Sequence, residues 1–395
     1  MTTAVRDRDG AKEATDHVAS LDSVRGLAVI LVMVFHFGWT FPSATPLTAV
    51  VHDLLWTGWV GVDMFFALSG FLITRGLIAP STRATSDRLK RFWARRFLRI
   101  FPLYYAVLIV GSVVELATHG APPSLSYWLY FQNYAIAAEP MHQIDWTGHF
   151  WSLAIEEQFY LVWPLVMLLG SPRIRVPVTL GLFLLGATTR TFLHFRGVAL
   201  FGMGEGTLEK LLYCATPTHM DGLLLGALVA MLVAEPTHVL AVLWKRLRTP
   251  IFALASLGLL ATAALTARGG LGLGRVFSQY DGRVAILGYP LLAVASSSLV
   301  YALVDRPAGA PTPWPWASRA LASCGKVSYG MYVFHWPVAR ALIDPVASAH
   351  LPDALGALLT LGFIAAGIPL TWVAAMLSFR YFETPFLAAK ARFVG

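Results

Sequence analysis

Two ionisable residues, Arg25 and His36, lie in the first apolar segment of the sequence. At about 100° per residue, their spacing brings both side chains to nearly the same helix face, roughly 16 Å apart along the axis. A charge near the centre of a bilayer costs about 2.5–3.5 kcal/mol on insertion scales, so such residues need a reason to be there. A histidine titrates near neutral pH and can act as a general base, and an arginine fork suits phosphate. The alternative is a basic residue flanking the membrane and a histidine satisfied by its neighbours.

A second polar group occurs in the segment HFWSLAIEEQFYLVWPL. His149, Ser152 and Glu156 are spaced i, i+3 and i+7, which predicts one polar stripe along a helix. Glu157 is turned about 100° away and is expected to face other neighbours. Two adjacent carboxylates in an apolar segment are hard to explain by packing alone, although stabilisation by the N-terminal helix dipole is an alternative.

The remaining polar residues of the apolar segments are weaker indicators of function. Ser328, Tyr332 and His335 share one predicted helix face, where a histidine often makes an interhelical hydrogen bond. Asp63 is a lone acid near a predicted helix end, seven residues before Gly70, and glycine allows close approach of helices. Asp63 and His335 could therefore each have a structural role instead of a functional one.

The run RLKRFWARRFLRIFPLYY, residues 88–105, is basic, aromatic and helical in pattern. One interpretation is a segment held at the membrane surface by anionic lipid. The other is a site for a polyanionic ligand, because arginine forks match phosphate geometry.

Composition places these residues in an all-α polytopic membrane protein. The chain is 56% hydrophobic and 13% charged, whereas soluble domains carry about 25% charged residues. Its two cysteines are too few for a disulfide framework, and its net charge of +8 is explained by the positive-inside rule rather than by nucleic acid. With about 20 residues needed per span, about ten transmembrane helices are predicted. They lie near residues 22–41, 54–78, 99–117, 150–170, 176–194, 216–234, 250–267, 283–303, 326–346 and 354–379.

The basic loops fix the expected orientation. Placing them in the cytoplasm puts both termini inside, with a polar tail at 1–20, a transmembrane domain at 21–385 and a second tail at 386–395. No cleavable signal peptide is expected before the first span. The segment at 124–138 is apolar and aromatic but too short to cross, so we expect a re-entrant or interfacial element on the outer side.

Seven sequence elements carry a resemblance to a known family. In order they are LDSVRGLAVILVMVFHF, GVDMFFALSGFLI, RRFLRIFPLYY, HFWSLAIEEQFYLVWP, MDGLLLGALVA, SYGMYVFHWPV and YFETP. Together they resemble the acyltransferase 3 family of integral-membrane O-acyltransferases, and most closely its shorter members without an extracytoplasmic esterase-like domain. The resemblance implies a bacterial cytoplasmic membrane location. It also implies transfer of an acetyl or other short acyl group from acyl-coenzyme A to a hydroxyl of a sugar, glycolipid or macrolide-type acceptor. His219 stands two residues before Asp221, where the family pattern has arginine.

The resemblance also suggests roles for the polar groups. His36 is the best candidate for the catalytic base, because a histidine titrates near neutral pH and desolvation favours its neutral form, and Glu156 or Glu157 would orient it or bind acceptor hydroxyls. The expected coenzyme A-binding residues are Arg25, Arg95, Arg96 and Arg99. The expected acceptor-binding residues are Asp63, His149, Ser152, Asp221, Tyr332 and His335. Direct transfer is preferred to an acyl-enzyme, because Ser69, Ser152 and Ser328 lie in no nucleophile-elbow pattern.

No metal site is predicted, because the histidines lie in separate segments without ligand spacing. Acyl-coenzyme A, a hydroxyl-bearing acceptor and the lipid bilayer are the expected partners, and assembly into a homodimer is left open. The main rival function is a proton-coupled transporter or lipid flippase, which intramembrane His, Asp and Glu would also suit. A membrane glycosyltransferase ranks last, because the outer loops hold few acids. Neither rival should release free coenzyme A.

Overall fold

The computed structural model describes residues 2–119, 124–138, 146–267, 277–305, 315–347, 349 and 351–394. Within these ranges all regular secondary structure is helical, which confirms the all-α prediction. The α-helices are α1 (Thr2–Phe37), α2 (Pro46–Trp56), α3 (Gly61–Ile78), α4 (Thr85–His119), α5 (Leu125–Trp128), α6 (Gln132–Ala138), α7 (Trp151–Leu169), α8 (Pro172–Phe201), α9 (Glu205–Cys214), α10 (Asp221–Ala234), α11 (Val239–Ala267), α12 (Tyr289–Val304), α13 (Pro315–Lys326), α14 (Ser328–Ala347), α15 (Asp353–Ser378) and α16 (Thr384–Val394). Short 3-10 or π segments occur at Thr57–Val60, Gly148–Phe150, Thr216–Thr218, Val284–Gly288 and Phe379–Glu383.

Eight helical segments in the described part of the chain are long and apolar enough to cross a membrane, so the chain is a polytopic membrane protein. They are Ser20–Phe37, Pro46–Ile78, Thr85–Ala117, Gly148–Leu169, Pro172–Phe201, Val239–Thr266, Val284–Val304 and Asp353–Ala389. All eight overlap predicted spans. The two other predicted spans, 216–234 and 326–346, correspond to α10 and α14.

The boundaries of α10 differ from the prediction. A single span was expected from residue 216, but the chain first makes a 3-10 turn at Thr216–Thr218 and α10 begins only at Asp221. Pro217 explains the break, because it has no N–H to donate to a continuous helix. The resulting helix of 14 residues is buried along nearly its whole length. Its all-round hydrophobicity therefore serves packing inside the protein rather than contact with lipid.

Helices α3 and α10 approach each other closely at two glycines. A Cβ atom added to Gly70 would lie 1.9 Å from the carbonyl oxygen of Leu223, and one added to Gly226 would lie 2.0 Å from that of Ala67. Small residues in this arrangement let two helix backbones touch. The close contact predicted for Gly70 is present, and a Cβ atom added to Gly222 in the first turn of α10 would lie 3.0 Å from the carbonyl oxygen of Asp63 in the first turn of α3.

The segment at 124–138 forms two short helices, α5 and α6, rather than a span. Between them Tyr130 adopts a left-handed backbone conformation with φ of 56°. Gln132 and Asn133 are fully buried at the start of α6. Their amide groups donate to the carbonyl oxygens of Phe150 at 2.8 Å and Cys214 at 3.1 Å. These bonds attach the segment to the turn before α7 and to the end of α9.

Candidate active site

Two cavities lie next to each other between the helices. One, the arginine cavity, has a volume of about 100 Å³ and is walled by the long helices α1, α3, α4, α7 and α14. Its polar lining includes Arg25, Ser69, Arg96, Arg99, Glu156 and Tyr160. The other, the histidine cavity, measures about 120 Å³, and much of its wall comes from α5, α6, α9 and the 3-10 turn before α7. Its lining includes His36, His149, Trp151, Lys210, Tyr213 and Trp336.

Three guanidinium groups give the arginine cavity its positive character. Arg25 of α1 is held by Asp22, with 2.9 Å between Nη1 and Oδ1. Arg96 and Arg99 come from successive turns of α4, and the Arg96 guanidinium lies 5.5 Å from the centre of the Tyr160 ring. Three of the four predicted coenzyme A-binding arginines therefore line one cavity. Arg95, on the neighbouring face of α4, is not part of its lining.

Glu156 lines this cavity, and its carboxylate takes part in a short series of hydrogen bonds. The Ser69 hydroxyl donates to Oε1 of Glu156 at 2.6 Å, and the Tyr160 hydroxyl donates to Ser69 at 3.2 Å. Glu157 turns to another side of α7, as its position in the sequence predicts, and lines neither cavity. Its Oε1 atom is buried and makes no hydrogen bond to another described residue.

A pair of histidines from distant helices lies at the histidine cavity. Nδ1 of His36 is 2.9 Å from Nε2 of His335, and Nδ1 of His335 is 2.7 Å from the carbonyl oxygen of Tyr332. A carbonyl only accepts, so His335 carries its proton on Nδ1 and, in a neutral ring, accepts at Nε2. His36 then donates from Nδ1, which leaves its Nε2 unprotonated. The arrangement equips His36 to accept a proton.

His149 and Trp336 complete the aromatic surroundings of this pair. The His149 ring centre lies 4.7 Å from that of His335, and the Trp336 ring meets His36 edge-on at 4.5 Å. Although three histidines converge, no group of metal ligands is found in the part of the chain that the structure describes.

Tyr332 lies between the two cavities and lines both of them. Its hydroxyl donates to the carbonyl oxygen of His149 at 3.0 Å and lies 2.5 Å from Oγ of Ser152. Because the single tyrosine proton is used on the carbonyl, the Ser152 hydroxyl is the donor in the second bond. The structure thus brings together four of the predicted acceptor-binding residues beside His36: His149, Ser152, Tyr332 and His335.

Residues 18–377 match the family described as acyltransferase domain. The chain belongs to the acyltransferase 3 family. It is 30% identical over 397 residues to the peptidoglycan O-acetyltransferase OatA of Listeria monocytogenes, covering 93% of this chain and 56% of that protein. It is 26% identical over 389 residues to the putative peptidoglycan O-acetyltransferase YrhL of Bacillus subtilis, covering 93% and 55%.

A putative O-acetyltransferase of Staphylococcus aureus strain COL is 24% identical over 390 residues, with 94% of this chain and 57% of that protein covered. The chain thus spans somewhat more than half the length of these curated relatives. No solved structure matches the sequence.

In this member of the acyltransferase 3 family, neither Asp63 nor Asp221 lines either cavity. Asp221 forms a two-pronged ion pair with Arg190 of α8, with distances of 2.6 and 2.9 Å. Oδ1 of Asp63 lies 3.2 Å from Nε2 of His219, whose Nδ1 is 2.6 Å from the carbonyl oxygen of Tyr213. All four charged or polar side chains are buried. The predicted binding of acceptor by these two acids therefore has no cavity to support it.

Arg190 resolves the departure from the family pattern at position 219. His219 partners Asp63, and a guanidinium from another helix partners Asp221. Arg190 was not among the residues predicted to be functional. A lone arginine in the apolar stretch LLGATTRTFL was the available signal, since a charge at such a position requires a partner.

Proposed function

We propose that this protein transfers a short acyl group, such as acetyl, from acyl-coenzyme A in the arginine cavity to a sugar hydroxyl in the histidine cavity. The single observation that carries the proposal is the orientation of His36. Its hydrogen bond to His335 leaves Nε2 free to accept a proton at a cavity adjoining an arginine-lined one. Both relatives carry O-acetyltransferase in their names, one of them as putative, which supports acetyl transfer to oxygen.

The arginine cavity suits the donor. Guanidinium groups pair with phosphate oxygens through two parallel hydrogen bonds, and Arg25, Arg96 and Arg99 offer three such groups from two helices. Basic loops are retained in the cytoplasm, so we place this cavity toward the cytoplasm, where coenzyme A thioesters are made. Both termini would then be inside, in a bacterial cytoplasmic membrane.

The histidine cavity suits a sugar acceptor. Its walls combine aromatic rings, among them Trp59, Trp151 and Tyr213, with a few polar groups such as Lys210 and Gln279. Small-molecule sites typically show this combination, in which apolar walls bury the ligand and sparse polar groups orient it. The two relatives with peptidoglycan in their names support a hydroxyl on a cell-wall sugar as the acceptor.

The proposed reaction is a direct transfer. His36 Nε2 takes the proton of the acceptor hydroxyl while its oxygen bonds to the acyl carbon, and the carbon–sulfur bond then breaks. The thiolate leaves and is protonated by the imidazolium, which regenerates the base. His335, fixed by the carbonyl of Tyr332, keeps the proton of His36 on Nδ1. A positioned base of this kind contributes roughly 10²–10⁴-fold to the rate.

The test is release of coenzyme A thiol by purified protein in the presence of acetyl-coenzyme A and a soluble peptidoglycan fragment. We expect His36→Ala to lower acceptor-dependent release by roughly 10²–10⁴-fold while the protein still inserts and folds. His194→Ala is the matched control, because His194 lines neither cavity. A wild-type rate in His36→Ala would remove His36 from the mechanism. Absence of thiol release by the wild-type protein with any acyl-coenzyme A would favour transport instead.

A further inference from the structure

We infer that Tyr332 is a gate between the two cavities, which keeps the donor thioester away from His36 until an acceptor is bound. The inference rests on the proposed function. Among the described residues, Tyr332 and Val62 are the ones that line both cavities. Tyr332 is only 6% exposed, so it is buried at the boundary between the two spaces.

The hydroxyl of Tyr332 is held by two neighbouring groups of the turn that leads into α7. Ser152, which belongs to the arginine cavity, donates to it at 2.5 Å. The carbonyl of His149, which belongs to the histidine cavity, accepts its proton at 3.0 Å. Oγ of Ser152 and the carbonyl oxygen of His149 are 3.4 Å apart, so both bonds tie the ring to the same turn and hold it in the closed position.

The backbone of Tyr332 is also fixed, because its carbonyl oxygen accepts the hydrogen bond from Nδ1 of His335. His335 in turn contacts His36 of α1 at 2.9 Å, which ties this part of α14 to a second helix. The ring packs edge-on against Phe65 at 6.1 Å and at an angle to His149 at 5.3 Å. Rotation of one side chain, with loss of its two hydroxyl contacts, would connect the cavities without moving a helix.

Such a gate has a chemical purpose. A base that deprotonates a sugar hydroxyl also deprotonates water. If water reaches the thioester, its oxygen bonds to the acyl carbon, the carbon–sulfur bond breaks and the products are a carboxylic acid and free coenzyme A. A closed boundary prevents this loss of donor in the absence of acceptor.

The first test measures coenzyme A release without acceptor. One hydrogen bond of ordinary strength shifts an equilibrium by roughly two- to tenfold, so Tyr332→Phe, which loses both, should raise acceptor-independent release by about fivefold or more. Tyr332→Ala, which also removes the ring, should raise it further, and Ser152→Ala should raise it less. In each variant the ratio of transfer to hydrolysis should fall.

Tyr104→Phe is the matched control. The Tyr104 hydroxyl is buried and donates to the carbonyl of Tyr127 at 2.7 Å, but the residue lines neither cavity. Its loss should leave acceptor-independent release unchanged. Unchanged release in both Tyr332 variants, when both fold, would overturn the gate.

A second test needs no enzymatic activity. In a background with Cys214→Ser and Cys324→Ser, the variant Ser69→Cys places one thiol in the arginine cavity. A cationic methanethiosulfonate reagent is added to each face of reconstituted vesicles in turn. From the face of the histidine cavity, labelling should be slow with Tyr332 and at least several-fold faster with Tyr332→Ala. Equal rates would refute the gate even if the wild-type protein consumed no thioester, so the two proposals can fail separately.

Discussion

Replacing Asp221 with alanine should destabilise the folded protein far more than it slows turnover by the molecules that remain folded. Asp221 and Arg190 are 3% and 0% exposed, and two hydrogen bonds of 2.6 and 2.9 Å join them. Removing one partner of a buried ion pair typically costs about 3–5 kcal/mol, because the other charge is left uncompensated.

The surroundings of Arg190 set where in that range the loss should fall. Its Nη1 also donates to the carbonyl of Thr218 at 2.6 Å, and its guanidinium lies 5.6 Å from the centre of the Tyr289 ring. Both contacts survive in Asp221→Ala and partly compensate the charge. We therefore expect a loss near the lower limit, about 3 kcal/mol in the free energy of unfolding.

The measurement is a double-mutant cycle in detergent, with unfolding followed by denaturant titration and activity normalised to folded protein. The cycle consists of Asp221→Leu, Arg190→Met and the double variant, which removes both charges and should recover most of the stability that each single substitution loses. Asp221→Ala with wild-type stability but no transfer would refute this reasoning. It would return Asp221 to the acceptor-binding role that the sequence predicts.

Two further predictions concern packing and donor binding. Gly70→Val should prevent folding, because a Cβ atom there would clash with the carbonyl of Leu223. Gly76→Val on the same helix should be tolerated, because a Cβ atom there would have no other atom within 4 Å. The yield of monodisperse protein in detergent distinguishes the two variants. Arg96→Gln should raise KM for acyl-coenzyme A by roughly tenfold with a smaller change in kcat, since a hydrogen bond to a charged group contributes about 1.5–3 kcal/mol. Lys90→Gln, on the exposed side of α4, should leave KM unchanged, and an equal rise in both variants would argue for a general charge effect instead of a phosphate site.

Helices and their polar faces could be predicted because both depend on neighbouring residues in the sequence. The stretch of 20 residues in α14 shows this, since its hydropathy and the spacing of Tyr332 and His335 indicate a helix with one polar face. The same reasoning placed Glu157 on a different face of α7 from Glu156. These inferences need only the helical repeat.

Pairing between helices could not be predicted in this way. Asp221 and Arg190 are 31 residues apart, Ser69 and Glu156 are 87 apart, and His36 and His335 are 299 apart. A single sequence shows that each buried charge needs a partner but not which helix supplies it. For that reason the two acids Asp63 and Asp221 were expected at the acceptor site, although their partners are elsewhere.

The two cavities differ in the length of the helices that form their walls, and this difference affects which sequence changes the protein can accept. Long helices enclose the arginine cavity, so a change of shape there disturbs the packing of the whole bundle. Short helices and turns supply much of the other cavity, where insertions and substitutions are tolerated at lower cost to stability. Under the proposed function, the donor cavity is therefore the more constrained of the two, while the acceptor cavity is free to evolve toward new acceptors.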